Sequence, residues 1–309
     1  APPDALSRSL VREPLPTGVR VLDGLLTVGR GQRVGLMAGS GVGKSTLMGM
    51  IARRSAAAVN VIALIGERGR EVREFLEDVL GPDGLRRSVV VVVTSDKSPV
   101  LQLRGAFFAM AVAEHFRDKG ADVMMMVDSV TRLAMAQRQI GLAVGEPPTT
   151  RGFTPSCFAL LPRLLERAGP ADRGSITALY TVLVDGDDVE ADPVGDAVRG
   201  IVDGHVVLSR RIASEGRFPA VDVLASISRV MPVVTPPRHY ELSRRLRAVL
   251  ATWAQNEELV RLGAYKNGAN ALVDDAILRI PRIHAWLAQD VAEATAFDAV
   301  VAGMETVLK

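Results

Sequence analysis

The residues with the clearest chemical meaning lie in one run, Ala38-Gly-Ser-Gly-Val-Gly-Lys-Ser-Thr46. Glycines at 39, 41 and 43 permit backbone angles that turn successive amide N–H groups toward one point. The helix predicted to begin at Lys44 adds the positive end of its dipole there. Such a loop cradles phosphates. Lys44 can then set a mobile cation on the β- and γ-phosphates of a nucleotide, and Ser45 can offer its hydroxyl to Mg²⁺, which keeps most of its octahedral shell as water and phosphate oxygens. Gly39, Ser40, Gly41, Val42, Gly43, Lys44, Ser45 and Thr46 are thus the expected ATP-binding residues of a Walker A loop. Alanine replaces the usual first glycine. The bland alternative, a ligand-free strand-to-helix turn, fits poorly with the Gly-Lys-Ser-Thr ending.

Two further acidic positions complement the loop. Val123-Met-Met-Met-Val-Asp128 is an apolar run ending in one carboxylate. At the carboxyl edge of a buried strand, Asp128 would stand beside the loop and orient water on Mg²⁺, as a Walker B acid does. Alone, it reads equally well as a helix cap. Glu67 and Arg68 follow the apolar run 60–66 and reach the same edge. A carboxylate that orients the attacking water and a salt-bridged helix start both remain open for them, because Gly69-Arg-Glu-Val-Arg-Glu-Phe75 is a charged amphipathic stretch.

These groups need a scaffold that delivers strand ends to one edge. β-rich runs at 33–38, 60–66, 88–95, 122–128, 176–184 and 205–209 alternate with helical stretches such as 44–54, 70–80, 100–118 and 130–142. The pattern predicts an α/β fold with a mainly parallel sheet flanked by helices. Beyond Pro236-Pro237 the strand signal stops. Residues 240–262, 274–280 and 291–307 are predicted as helices broken by Gly263, Gly268 and Pro281, forming a small α-helical C-terminal domain. The expected organisation is a linker remnant at 1–13, an ATPase domain at 14–236 and the helical domain at 237–309. No internal repeat is visible.

Composition excludes several classes. With 37 basic and 35 acidic residues, no whole-chain field draws nucleic acid or anionic membrane. Aromatics make up only 4%, too few for a basic stripe interleaved with stacking rings. Cys157 stands alone, so there is no internal disulfide framework or cysteine-cluster metal site, as expected for a cytoplasmic chain. The longest apolar runs, 88–94 and 123–127, fall well short of the roughly 18 residues that span a bilayer. The chain opens Ala-Pro-Pro-Asp with neither an initiating Met nor signal-peptide features, which suggests a trimmed fragment.

Gly66-Glu-Arg-Gly-Arg-Glu71, Asp128-Ser-Val-Thr-Arg132, Gly141-Leu-Ala-Val-Gly-Glu-Pro-Pro-Thr149, Leu161-Pro-Arg-Leu-Leu-Glu-Arg-Ala-Gly169, Asp203-Gly-His-Val-Val-Leu-Ser-Arg210 and Gly263-Ala-Tyr-Lys-Asn-Gly268 together resemble the flagellar and type III secretion export ATPases. These are relatives of the rotary ATP synthase catalytic subunit. The resemblance runs from about Pro14 to the C-terminus and implies a RecA-like P-loop NTPase. By motif position it implies that Glu67 polarises the attacking water, that Arg68 and Arg132 flank the phosphates, that the Phe218 ring packs on adenine, and that Arg229 enters a neighbouring subunit's site. The bland readings are a core aromatic for Phe218 and a surface salt bridge for Arg229. Residues 141–154 resemble a loop facing the central pore of a ring.

The family implies a homo-oligomeric ring, a hexamer, with a central stalk protein, a negative regulator, an export gate and chaperone–cargo complexes as partners. It places the protein at the cytoplasmic face of the inner membrane, with peripheral association but no spanning segment. Its N-terminal β-barrel domain has no counterpart here, so a catalytic fragment, monomeric or assembled, is expected. Ala134-Met-Ala-Gln-Arg138, Val184-Asp-Gly-Asp-Asp188 and Gly216-Arg-Phe-Pro-Ala220 look flagellar more than virulence-associated. The alternatives are an injectisome ATPase, a nucleic-acid motor on the same core, and a non-catalytic ring subunit. Glu67 argues against the last, which lacks that carboxylate. The helical domain is expected to serve partners while the ATPase domain holds the nucleotide.

Overall fold

A computed structural model describes residues 9–184 and 192–309. The apolar runs form the strands β1 (Arg33–Ala38), β2 (Val59–Ile65), β3 (Ser88–Val93), β4 (Asp122–Asp128), β5 (Gly169–Pro170), β6 (Ser175–Leu183), β7 (Gly204–Leu208) and β8 (Val221–Ser228). They make one eight-stranded sheet among the described residues, in the order β3-β2-β4-β6-β1-β7-β8, with β5 beside β6. Pairings from β3 through β7 along this order are parallel; β8 on β7 and β5 on β6 are antiparallel.

The continuous hydrophobicity of the central strands has a direct cause. Parallel strands are covered on both faces, so alternate residues enter two different cores. Met124 and Met126 face one core with Leu36, Ile62 and Leu64; Val123, Met125 and Val127 face the other with Met37, Val61 and Ala63. The second core is closed by helices Pro99–Asp118, Val130–Ala143, Pro155–Leu165 and Pro193–Ile201. The first is closed by helices Arg20–Leu25 and Lys44–Arg54 together with the C-terminal helices. Leu242, Leu246 and Leu250 lie one turn apart on helix Pro237–Arg261, and with Ile280, Ile283, Met304 and Val307 they join that same core. The C-terminal helices thus share apolar packing with the sheet.

The structure departs from the sequence reading at several places. The last helix is Phe297–Val307, and 291–296, expected as its first part, are turn and irregular chain, with Ala296 in extended conformation as the helix N-cap. Pro281 does not end a helix: Ala271–Leu287 runs through it. The burial of Val273, Ala276, Ile280 and Ile283 along one stripe holds the helix together despite the hydrogen bond a proline removes. The stretch 70–80 is not one α-helix; Gly69–Glu74 is α, Phe75–Leu80 is a π-helix and Gly81–Arg86 continues. Finally, β8 and β5 were not expected. In β8 the alternation is broken because the Asp222 carboxylate accepts from the Leu224 and Ala225 amides at a register shift.

Candidate active site

β1 ends at Ala38, and the chain then passes through residues 39–43 into helix Lys44–Arg54. Gly43 has φ +93° and serves as the helix N-cap, a conformation that a side chain would strain. With no side chain capping this helix, its first amides stay available to a ligand. Gly39, Ser40, Gly41, Gly43, Lys44, Ser45 and Thr46 line a cavity of about 610 Å³ at the carboxyl edge of the sheet, where an α/β fold places its ligands. Val42 points its side chain into the core at 2% exposure, so it can offer a ligand only its main chain.

Three strand ends bring the charged groups together. β4 ends at Asp128, 3% exposed, whose carboxylate contacts the Lys44 ammonium and accepts from Thr181 Oγ1 at 2.7 Å. β2 ends one residue before Gly66, and Glu67, 7% exposed, then stands 4.0 Å from Lys44 Nζ and 4.0 Å from Arg132 Nε. Gly66 is required on two counts: its φ is +74°, and a Cβ there would lie 2.9 Å from Cβ of Arg132. Arg132 comes from helix Val130–Ala143, which follows β4.

The electrostatics single out Glu67. Burial, then the Asp128 charge, pushes its carboxyl up to about 7, with Lys44 and Arg132 opposing. Its carboxyl also meets that of Glu71, which this hydrogen bond holds below the ordinary value. Among the described residues, Glu67 Oε1 and Arg132 Nε are buried without a hydrogen-bond partner. Unpaired polar atoms lining a cavity are costly unless a ligand completes them. Arg68 is mostly exposed, lies 3.4 Å from Glu71 and also lines the cavity.

Phe218 is outside this lining but close to the loop: a Cβ at Gly43 would stand 3.6 Å from its ring, which is 46% exposed. It is therefore not a core residue. Arg229 is not brought to the site. It follows β8, where Ser228 pairs with Gly204 at the start of β7, whereas Ala38 pairs with Leu208 at the end of β7, about 13 Å away at strand spacing. Its side chain is exposed and donates to the Val202 carbonyl at 3.3 Å.

Sequence reasoning gave no role to Glu71, Thr181 or Arg210. Glu71 stands four residues after Glu67, but Glu67 precedes helix Gly69–Glu74, so helical spacing does not reveal their contact. Thr181 pairs with Asp128 only across neighbouring strands. Arg210 reaches the loop across the sheet edge: a Cβ at Gly39 would stand 3.4 Å from its guanidinium.

Comparison with known proteins decides which nucleotide enzyme has this arrangement. Residues 18–228 match the nucleotide-binding domain of the ATP synthase alpha/beta family, and residues 235–306 match the C-terminal domain of the type III secretion ATPase EscN. The chain belongs to the type III export ATPases. It is 55% identical to the flagellum-specific ATP synthase of Bacillus subtilis (strain 168), over 98% of this chain and 69% of that protein. It is 56% identical to the type 3 secretion system ATPase of Xanthomonas euvesicatoria, over 96% of this chain and 67% of that protein. Its fold superposes on the assembled EscN of enteropathogenic E. coli with a TM-score of 0.95 and 47% identity, over 100% of this chain and 74% of that one. EscN has also been solved in complex with its central stalk EscO; that chain matches with a TM-score of 0.93. Like its family, this export ATPase is a P-loop ATPase. No helix among the described residues is long and apolar enough to cross a membrane.

Proposed function

We propose that this export ATPase hydrolyses ATP at sites shared between subunits of a hexameric ring, and that the flagellar export apparatus uses this hydrolysis to unfold and move its cargo. The observation that carries the reading is the buried Glu67 carboxylate, unpaired at Oε1, facing Lys44 and Arg132 across the loop cavity. A phosphate chain laid on the amides of 39–46 would be met by Lys44, with Arg68 and Arg132 beside it. Ser45 and Asp128 fit the small, oxygen-only share of a shell that Mg²⁺ asks of a protein; the ion, bound with ATP, would neutralise phosphate charge. Glu67, when ionised, would accept a hydrogen bond from the attacking water and orient it. Phe218 would carry the adenine on the outer side of the loop.

Arg229 lies too far from its own loop to serve it, which supports a role in a neighbour's site. Both sheet edges also bear exposed apolar side chains, Val92 with nearby Leu101 and Phe108 at the β3 edge and Leu224 and Ile227 on β8, as a head-to-tail ring contact requires. We assign residues 14–236 to the ATPase domain and 237–309 to the helical domain, on which a central stalk would dock. The negative regulator, export gate, chaperone–cargo complexes and a position at the cytoplasmic membrane face belong to this same reading. An injectisome ATPase is the second reading, favoured by the 56% identity to the Xanthomonas enzyme. Ala134–Arg138 and Gly216–Ala220 support the flagellar one; residues 185–188 of the third such motif, Val184–Asp188, lie outside the described residues. Phosphate release measured with and without single-stranded DNA or RNA tests the reading: turnover indifferent to nucleic acid is expected, and stimulation by it would favour a nucleic-acid motor instead.

A further inference from the structure

The connector between helices Ala271–Leu287 and Phe297–Val307 is gripped from several sides. Gln289, 4% exposed, uses both ends of its amide: Nε2 donates to the carbonyls of Gly18 at 2.9 Å and Glu293 at 3.1 Å, and Oε1 accepts from the Arg20 amide at 2.7 Å. Its own backbone N–H then donates to the carbonyl of Phe218 at 2.9 Å. Arg20 adds bonds to the Trp286 and Ala288 carbonyls and an ion pair with Glu293. Arg53 and Arg54, at the far end of the helix that starts with Lys44, both reach the Val291 carbonyl. A connector of the C-terminal helices thus holds the peptide of the ring beside Gly43, and also the far end of the helix that carries Lys44. A buried amide with its donors and acceptor satisfied fixes local geometry, because breaking the set leaves polar groups buried and unpaired.

We propose that Gln289 is a positioning residue for the nucleotide base, locking the connector so that its backbone holds Phe218 over the phosphate loop. The inference rests on the reading of Phe218 as the base platform. On this proposal the helical part also helps to set nucleotide affinity, beyond the division of labour expected from the sequence.

The experiment compares the affinity of the whole chain for Mg-ATP and for Mg-tripolyphosphate, the phosphate chain without a base. Gln289→Ala is expected to weaken ATP about tenfold, the scale of one lost base–aromatic stack, while tripolyphosphate binding stays unchanged. Gln289→Glu keeps the side-chain volume but loses the two donated bonds, and the same selective loss is expected. Combined with Phe218→Ala, either variant should add little, since both remove one platform. Equal weakening of both ligands, additive losses, or an ATP affinity unmoved by either Gln289 variant would overturn the inference. If Phe218→Ala leaves the ATP-to-tripolyphosphate ratio untouched, the platform reading itself fails. If Phe218→Ala changes that ratio and the Gln289 variants do not, only the role of Gln289 fails.

Discussion

Lys44, half-buried, and the buried Glu67 and Asp128 form a charge cluster with one cation and two acids, so each substitution has a distinct signature. Lys44→Ala removes the cation available to the phosphates and should weaken Mg-ATP binding by roughly a hundredfold, as loss of ionic hydrogen bonds worth about 1.5–3 kcal/mol each implies; calorimetric titration showing unchanged affinity would refute the site. Glu67→Gln should retain ATP and lose turnover, because the amide keeps the shape but not the charge. The Glu67 carboxyl, raised to about 7, also predicts pH effects. Between its ordinary value and about 7 the native state holds a proton that the unfolded state has released, so this group favours the fold at low pH and loses that contribution as pH rises through about 7. Nucleotide-free Glu67→Gln should therefore gain in melting temperature over the parent from about pH 6 to about pH 8. Turnover needs the ionised form, so kcat/KM of the parent should climb across the same interval. A flat profile there would show that another group orients the water.

At the scale of elements, the loop works because its helix is fixed behind it. Helix Lys44–Arg54 packs so tightly on the π-helix Phe75–Leu80 that a Cβ at Gly49 would stand 2.3 Å from Val79 Cγ1 and 3.0 Å from the Val79 carbonyl oxygen. Backbone cannot yield as a flexible side chain does. Gly49→Ala should cost about 1–3 kcal/mol in urea unfolding, the scale of overpacking, even though alanine is the better helix former. A stabilised variant would mean that the two helices separate freely.

For the whole molecule, the decisive geometry is that Arg229 and the phosphate loop occupy opposite ends of the β7 register. Specific activity should accordingly rise with protein concentration, and Arg229→Ala should flatten that rise by removing a contribution of roughly 10³–10⁵ in rate while sparing monomer affinity. Glu67→Gln and Arg229→Ala should each be inactive alone yet partly active when mixed, because some interfaces then pair an intact Glu67 with an intact Arg229. Mixed rings shown to form without recovered activity would rule out a shared site.

The loop residues, Asp128 and the parallel sheet were legible in the sequence because their signals are local: glycine spacing, apolar runs of strand length, and a carboxylate at a run's end. Strands β1 and β4 carry the sequence-read bounds without change. Motif resemblance alone implied roles for Arg132, Phe218 and Arg229, and chose between the two local readings of Glu67. Tertiary structure alone decided the rest. Pro281 sits inside a helix because its neighbours are buried, and β8 hides its pattern because an edge strand with a shifted register does not alternate. Thr181 and Gln289 acquire meaning from partners 53 and 271 residues distant in the chain, Asp128 and Gly18. Local propensity acts over a few residues, whereas charge, burial and hydrogen bonding act through space; the sequence therefore determined the loop and its strands, and the fold decided which side chains stand around them.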